Sequence, residues 1–183
     1  MSKLTKQLNE DYLRMTGKAY RFSIKSFIVI LYSHQIRFMR VWRKNKQHTT
    51  VFRKLLLYRY SRKYGLEISS HATIGRGLYL GHPYGITVAG GVIIGDNCNL
   101  HKGCTIGSEN RGKREGSPTI GNCVSIGIIN STVIGKINIE NDVIIAPNSF
   151  VNFDVPDHSI VIGNPASVHS RDNATVDYIK FRV

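Results

Sequence analysis

Residues 68–91 read ISSHAT, IGRGLY, LGHPYG and ITVAGG, four six-residue units that each open on Ile or Leu. An α-helix repeats its apolar stripe at three and four residues, so an aliphatic residue at every sixth position signals something else. Short strands joined by tight corners satisfy the period. The aliphatic side chain points inward on each flat face, and Gly or Asn beside it takes the positive φ that a corner needs. The frame continues after two extra residues as IGDNCN, LHKGCT and IGSENR. It is interrupted over Gly112 to Thr119, resumes as IGNCVS and IGIINS, slips by one residue at Thr132, and runs through VIGKIN, IENDVI and IAPNSF to Val151. Twelve such units in nearly one frame predict a mainly β chain, a coil of stacked turns around one continuous core.

Upstream of Ile68 the pattern is helical. Tyr32, Ile36, Met39 and Trp42, then Phe52, Leu55, Leu56 and Tyr60, recur at three- and four-residue spacings among Arg and Lys. Gln47-His48-Thr49-Thr50 is the expected break between two helices, with a threonine cap. The reading therefore divides the chain into a basic helical region over 1–65, a β-helix over 66–168 and a C-terminal tail over 169–183.

The formal charge of +13 is unevenly placed: residues 1–65 hold 16 Lys and Arg against Glu10 and Asp11, while residues 66–183 hold 9 against 10 acidic residues. Such a block suits an anionic membrane surface, an acidic polymer or nucleic acid, and charge alone does not choose. Cys98, Cys104 and Cys123 contain no CxxC and are odd in number, which argues against a disulfide framework and for a reducing cytosol. The polar start MSKLTKQLNEDYLRM is no cleavable signal. The apolar run from Phe27 to Tyr32 is far short of the roughly 20 residues that span a bilayer.

Four local stretches add to the hexads: Leu80-Gly81-His82-Pro83-Tyr84-Gly85-Ile86, the loop before Pro118-Thr119-Ile120-Gly121, Asp154-Val155-Pro156, and Ile162-Gly163-Asn164-Pro165-Ala166. With them, residues 65–168 resemble the hexapeptide-repeat acyltransferases, nearest the serine acetyltransferase branch and its sugar-modifying relatives. The resemblance implies a left-handed parallel β-helix, a homotrimer, active sites at the seams between subunits, and acetyl-CoA as cosubstrate with no metal.

It also implies roles. His82 matches the catalytic histidine, and imidazole suits a general base because its unperturbed pKa lies near working pH. Glu67, fifteen residues earlier, matches the carboxylate that orients that histidine and stabilises the imidazolium. His101 is expected to flank the same cleft, and Gly81, Tyr84 and Ser117 to meet the acceptor. Matching hexads put the acetyl-CoA groove, contacted largely by backbone amides, at Gly127, Ile128, Ala146 and Pro147, with Gly163, Asn164, Pro165 and Ala166 near the nucleotide. Ser167 stands where relatives often carry a cation after Pro-Ala, so a phosphate contact is sought in Arg171 or in the Arg111, Lys113, Arg114 cluster.

Departures from the family bear on the acceptor. Serine acetyltransferases carry an aspartate before the catalytic histidine and an Arg-His pair before the loop proline, where this chain has Gly81, Gly116 and Ser117. A site without those charges has little to hold a zwitterion. The expectation is therefore a neutral sugar hydroxyl, on a capsular polysaccharide or another surface glycan, with serine itself as the alternative. The basic helical region is expected to make peripheral contact with an anionic membrane from the cytoplasm. A zinc site from His71, His82 and His101 lacks the His-x4-His spacing. A non-enzymatic basic scaffold has no nucleic-acid motif behind it, so no nucleic-acid partner is expected.

Overall fold

A computed structural model of the chain describes residues 2–127 and 129–183. Four helices come first: α1 (Lys3–Thr16), α2 (Ile24–Tyr32), α3 (His34–Gln47) and α4 (Val51–Tyr64). Their ends follow from the sequence. The hydroxyls of Ser2, Ser23 and Thr50 accept the N–H groups of Thr5, Ser26 and Arg53, and Gly17 and Gly65 end α1 and α4 in the left-handed region. Thr50 is the cap expected at the break.

The chain then winds into a parallel β-helix with three faces. The first holds β1 (Leu66–Ile68), β4 (Ile86–Val88), β7 (Thr105–Gly107), β10 (Thr132–Ile134) and β13 (Phe150–Val151). The second holds β2 (Thr73–Ile74), β5 (Ile93–Ile94), β8 (Thr119–Ile120) and β11 (Asn138–Ile139). The third holds β3 (Tyr79–Gly81), β6 (Asn99–His101), β9 (Ser125–Ile126), β12 (Val143–Ile145) and β14 (Ser159–Gly163), closed by the antiparallel β15 (Ala166–Ser170). Leu80, Leu100, Ile126 and Ile145 stack on the third face and Ile74, Ile94, Ile120 and Ile139 on the second, all buried. Stacking like on like is what the six-residue period achieves: every coil adds its aliphatic residues to the same core.

Register locates each irregularity. Ile68 pairs with Val88 and Leu80 with Leu100, each twenty residues on, whereas Val88 pairs with Ile106 after eighteen. The two extra residues therefore lie between Leu80 and Val88, in the corner at His82 to Gly85, and not after Gly91 as the hexads suggest. The interrupted stretch is a loop between β7 and β8, pinned where Glu109 and Gly116 exchange backbone hydrogen bonds of 2.9 Å. The single-residue slip falls between Ile126 and Val133, since Leu100 pairs with Ile126 but Ile106 with Val133.

A β-helix leaves open backbone edges at its ends, which need partners. At the first coil, α1 and α3 supply them. Trp42 Nε1 donates to the Ile68 carbonyl at 3.1 Å, Arg43 Nη1 to Ile74 and Nη2 to Gly75 at 3.2 and 2.7 Å, and Lys46 Nζ to Ala72 at 2.9 Å. Asp11 Oδ1 accepts the Leu78 amide at 3.1 Å, and Arg14 Nε donates to the Gly77 carbonyl at 3.0 Å. Phe38, Met39 and Trp42 fill the core's lower end. The helical region is thus a cap on the coil. Residues 171–183 run back along the third face: Asn99 Nδ2 donates to the Tyr178 carbonyl at 3.0 Å, and Asn97 Nδ2 to that of Val183 at 3.0 Å.

Candidate active site

The corner between the third and first faces gathers most of the residues singled out by sequence. β3 ends at Gly81, and the chain turns through His82, Pro83, Tyr84 and Gly85 into β4. On later coils the same corner carries His101 at the end of β6, Gly127 after β9, Ala146 and Pro147 after β12, and Gly163 at the end of β14. Neighbouring strands stand about 4.8 Å apart, so the four steps from Gly81 to Gly163 make a column about 19 Å long. Backbone bonds tie the coils together along it. The amides of Lys102, Gly103, Gly127 and Ala146 donate to the carbonyls of Gly81, Tyr84, Ile145 and Val161 at 3.1, 2.9, 2.8 and 2.8 Å.

His82 is exposed and has φ 48°, in the left-handed region. That conformation is uncommon for a residue with a Cβ and directs attention to function when found in a corner. The Tyr84 amide donates back to the His82 carbonyl at 2.8 Å and Pro83 is buried beneath, so the tight turn throws the imidazole outward. His101, directly opposite Gly81 in register, lies next to it. A Cβ at Gly81 would overlap the His101 ring. Tyr79 stands edge-on to that ring at 5.9 Å, and the buried His101 Nδ1 has no hydrogen-bond partner among the described residues. Burial pushes the His101 pKa down, and the nearby His82 pushes it further in the same direction, so the ring is neutral at neutral pH.

Glu67 sits on β1, paired with Thr87 of the strand that the His82 corner leads into, and it is exposed. Among the described residues, no hydrogen bond or ion pair joins it to His82. Tyr84 is half-exposed and leans on the helical cap, with ring centroids 5.3 Å from His34 and 6.2 Å from Tyr64. Ser117 and Gly116 lie elsewhere, in the loop between the first and second faces, where Ser117 Oγ is 2.7 Å from Ser108 Oγ and packs against Gly91. One chain therefore does not bring Ser117 to His82. Arg114 is paired with Glu109 at 3.2 Å. His71 occupies the turn between β1 and β2, at a different corner from His82. Among the described residues, no three His, Cys, Asp or Glu side chains come together as metal ligands.

In the expected cosubstrate groove, Gly127 is required sterically, since a Cβ there would stand 2.6 Å from the Ile145 carbonyl oxygen and 2.7 Å from the Pro147 nitrogen. The amides of Gly127 and Ala146 are spent on coil stacking and the Gly163 amide on Ser149 Oγ at 3.0 Å, so these three are not free to meet a ligand. Asn164 and Pro165 form the exposed turn between β14 and β15, ending at Ala166. Ile128 lies outside the described residues. The sequence reading missed one wall. A cavity of about 230 Å³ beside His101 is lined also by Tyr79, Asn99, Tyr178 and Lys180. The last two come from the tail, whose return along the third face no local pattern announces.

No protein-family model matches the chain. It is 35% identical to the serine acetyltransferase of Helicobacter pylori strain 26695 over 108 residues, 59% of this chain and 63% of that one. It is 32% identical to that of Synechococcus elongatus over 132 residues, 72% of this chain and 54% of that one. The chain thus spans little more than half the length of these relatives. Among solved structures, Neisseria gonorrhoeae serine acetyltransferase in complex with serine superposes with a TM-score of 0.74 at 28% identity, covering 90% of this chain and 68% of that one. These names overturn the expected sugar acceptor and a place in polysaccharide biosynthesis. Gly81 has a packing reason of its own, apart from the acceptor: a Cβ there would overlap the His101 ring of the next coil. In its coil, its corner column and its likeness to these enzymes, this chain has the hexapeptide-repeat acyltransferase fold.

Proposed function

We propose that the chain is an O-acetyltransferase that moves the acetyl group of acetyl-CoA to the hydroxyl of serine. The observation that carries this reading is the single corner column in which exposed His82 heads a line of coil ends at His101, Gly127, Ala146 and Gly163. The likeness to serine acetyltransferases supports the acceptor.

His82 takes the hydroxyl proton as the serine oxygen attacks the thioester carbonyl. The tetrahedral adduct collapses with cleavage of the C–S bond, and His82 returns its proton to the departing thiolate, giving O-acetylserine and free CoA. Glu67, on the strand paired with the one that the His82 corner leads into, acts as a positioning carboxylate for the imidazolium. His101, neutral beside His82, faces the acceptor together with Gly81 and Tyr84. Gly127, Ala146, Pro147 and residues 163–166 would hold acetyl-CoA, with Arg114 leaving Glu109 to meet a phosphate. The assembly that goes with this is a homotrimer, in which Ser117 of a neighbouring subunit completes the site at the seam. The compartment is the cytoplasm, where Cys98, Cys104 and Cys123 stay free thiols.

A free-thiol assay with acetyl-CoA and L-serine tests this. Thiol release should depend on serine and fall by about a hundredfold or more in His82→Ala. Release that serine does not stimulate, or full activity in the variant, rejects the reading.

A further inference from the structure

Helix α2 is packed inside out. Its one buried residue is Ser26, while Ile24, Phe27, Ile28, Leu31 and Tyr32 face solvent with Phe22 just before the helix. Phe22 is 98% exposed, Ile24 82% and Tyr32 80%. Scattered apolar residues on a surface are ordinary, but a contiguous set on one helix marks an interaction site. Exposed Lys18, Arg21 and Lys25 flank it. From Tyr12 to Leu66 the chain holds 14 Lys and Arg and no Asp or Glu. That charge selects the occupant. A second copy of this unit would set like charges face to face, whereas an anionic lipid surface shelters the apolar side chains and pairs with the cations. Nucleic acid would meet the cations but leave Phe22, Ile24 and Phe27 in water. At nine residues the helix is about 13 Å long, enough to lie in the interface and not to cross it. No described helix is long and apolar enough to span a bilayer.

We propose that α2 and the residues leading into it form a docking face for anionic membrane, so that the enzyme works as a peripheral protein with α2 lying in the headgroup layer. The substituted residues are exposed, and none belongs to the catalytic column. Vesicle flotation of the full chain provides the test, using phosphatidylcholine alone and phosphatidylcholine with phosphatidylglycerol. Wild type should float with the anionic vesicles and stay behind with the neutral ones. Neutralising two cations, Arg21→Gln with Lys25→Gln, should weaken partitioning about 25-fold, at about fivefold per charge near a surface. Phe22→Ser with Phe27→Ser should weaken it about tenfold or more through lost apolar burial. Thermal melting and light scattering on each variant establish that fold and mass are unchanged. Equal binding to both vesicle types, undiminished binding by either double variant, or a change in subunit number with partitioning intact would overturn the proposal. The last result would assign α2 to contact between copies of this chain.

Discussion

The His101 ring occupies the space that a side chain at Gly81 would need, one coil away and directly opposite in register. The two positions are therefore coupled. Gly81→Ala alone should cost about 1–3 kcal/mol, the range for overpacking a tight contact. In a His101→Ala background the same change should cost much less. A double-mutant cycle by chemical denaturation measures the difference, and additive costs would show that the ring moves aside freely.

Asp11 and Arg43 form a two-point ion pair under the first coil, Nε to Oδ2 at 2.5 Å and Nη2 to Oδ1 at 2.9 Å, both side chains buried. Burial pushes the Asp11 carboxyl up, against the opposing pull of Arg43 and the Leu78 amide. Removing one partner leaves the other charged and stranded, so Asp11→Ala should destabilise by about 3–5 kcal/mol. Because Arg43 also caps the Ile74 and Gly75 carbonyls, the loss should appear as hydrogen exchange concentrated in the first coil. A melting temperature equal to wild type would contradict the capping role.

Legibility in the sequence followed the range of each interaction. The core was readable because Ile74, Ile94, Ile120 and Ile139 repeat one local rule on every coil, and Thr50 was readable because a cap needs only its own helix. The two-residue excess was misplaced because both Ile86 and Val88 are buried, so hydrophobicity fits either frame and only pairing with Ile106 decides. Gly81 is a related case: it looked like a lost charge, yet its glycine answers to a residue twenty positions away. Nothing near Tyr178 announces that it returns to Asn99.

Gly127 stands against the backbone of the next coil, with Ile145, Ala146 and Pro147 all within 3 Å of where its Cβ would be. Backbone cannot rotate away as a side chain can. Gly127→Ala should therefore part the coils at the expected acetyl-CoA groove and raise the KM for acetyl-CoA about tenfold or more, roughly 1.4 kcal/mol of lost binding, with the KM for serine less affected. An unchanged KM for acetyl-CoA would move the groove to another corner.

The tail is clasped to the coil at Asp142, whose Oδ1 accepts the Thr175 amide at 2.9 Å and hydroxyl at 2.5 Å, and whose Oδ2 accepts the Ala174 amide at 3.0 Å and lies 2.8 Å from His158 Nδ1. Burial raises the Asp142 carboxyl, but the hydrogen bonds from Thr175, His158 and Ala174 outweigh it and hold the pKa at about 2. The bond to Asp142 in turn raises that of His158. The signs are opposite. The depressed carboxyl contributes stability above its ordinary value of 3.8 that is lost as pH falls through about 2. The raised imidazole contributes stability below its ordinary 6.5 that is lost as pH climbs through its raised value. The clasp is thus firmest between about 4 and 6.5. Exchange protection of the Ala174 and Thr175 amides, corrected for intrinsic rates, should peak in that window and weaken on both sides. Asp142→Ala should loosen the tail within that window, by about 1–3 kcal/mol for stranded donors. Protection that holds constant from pH 5 to pH 2 would show that the tail is fastened elsewhere, along the Asn97 and Asn99 contacts lower on the same face.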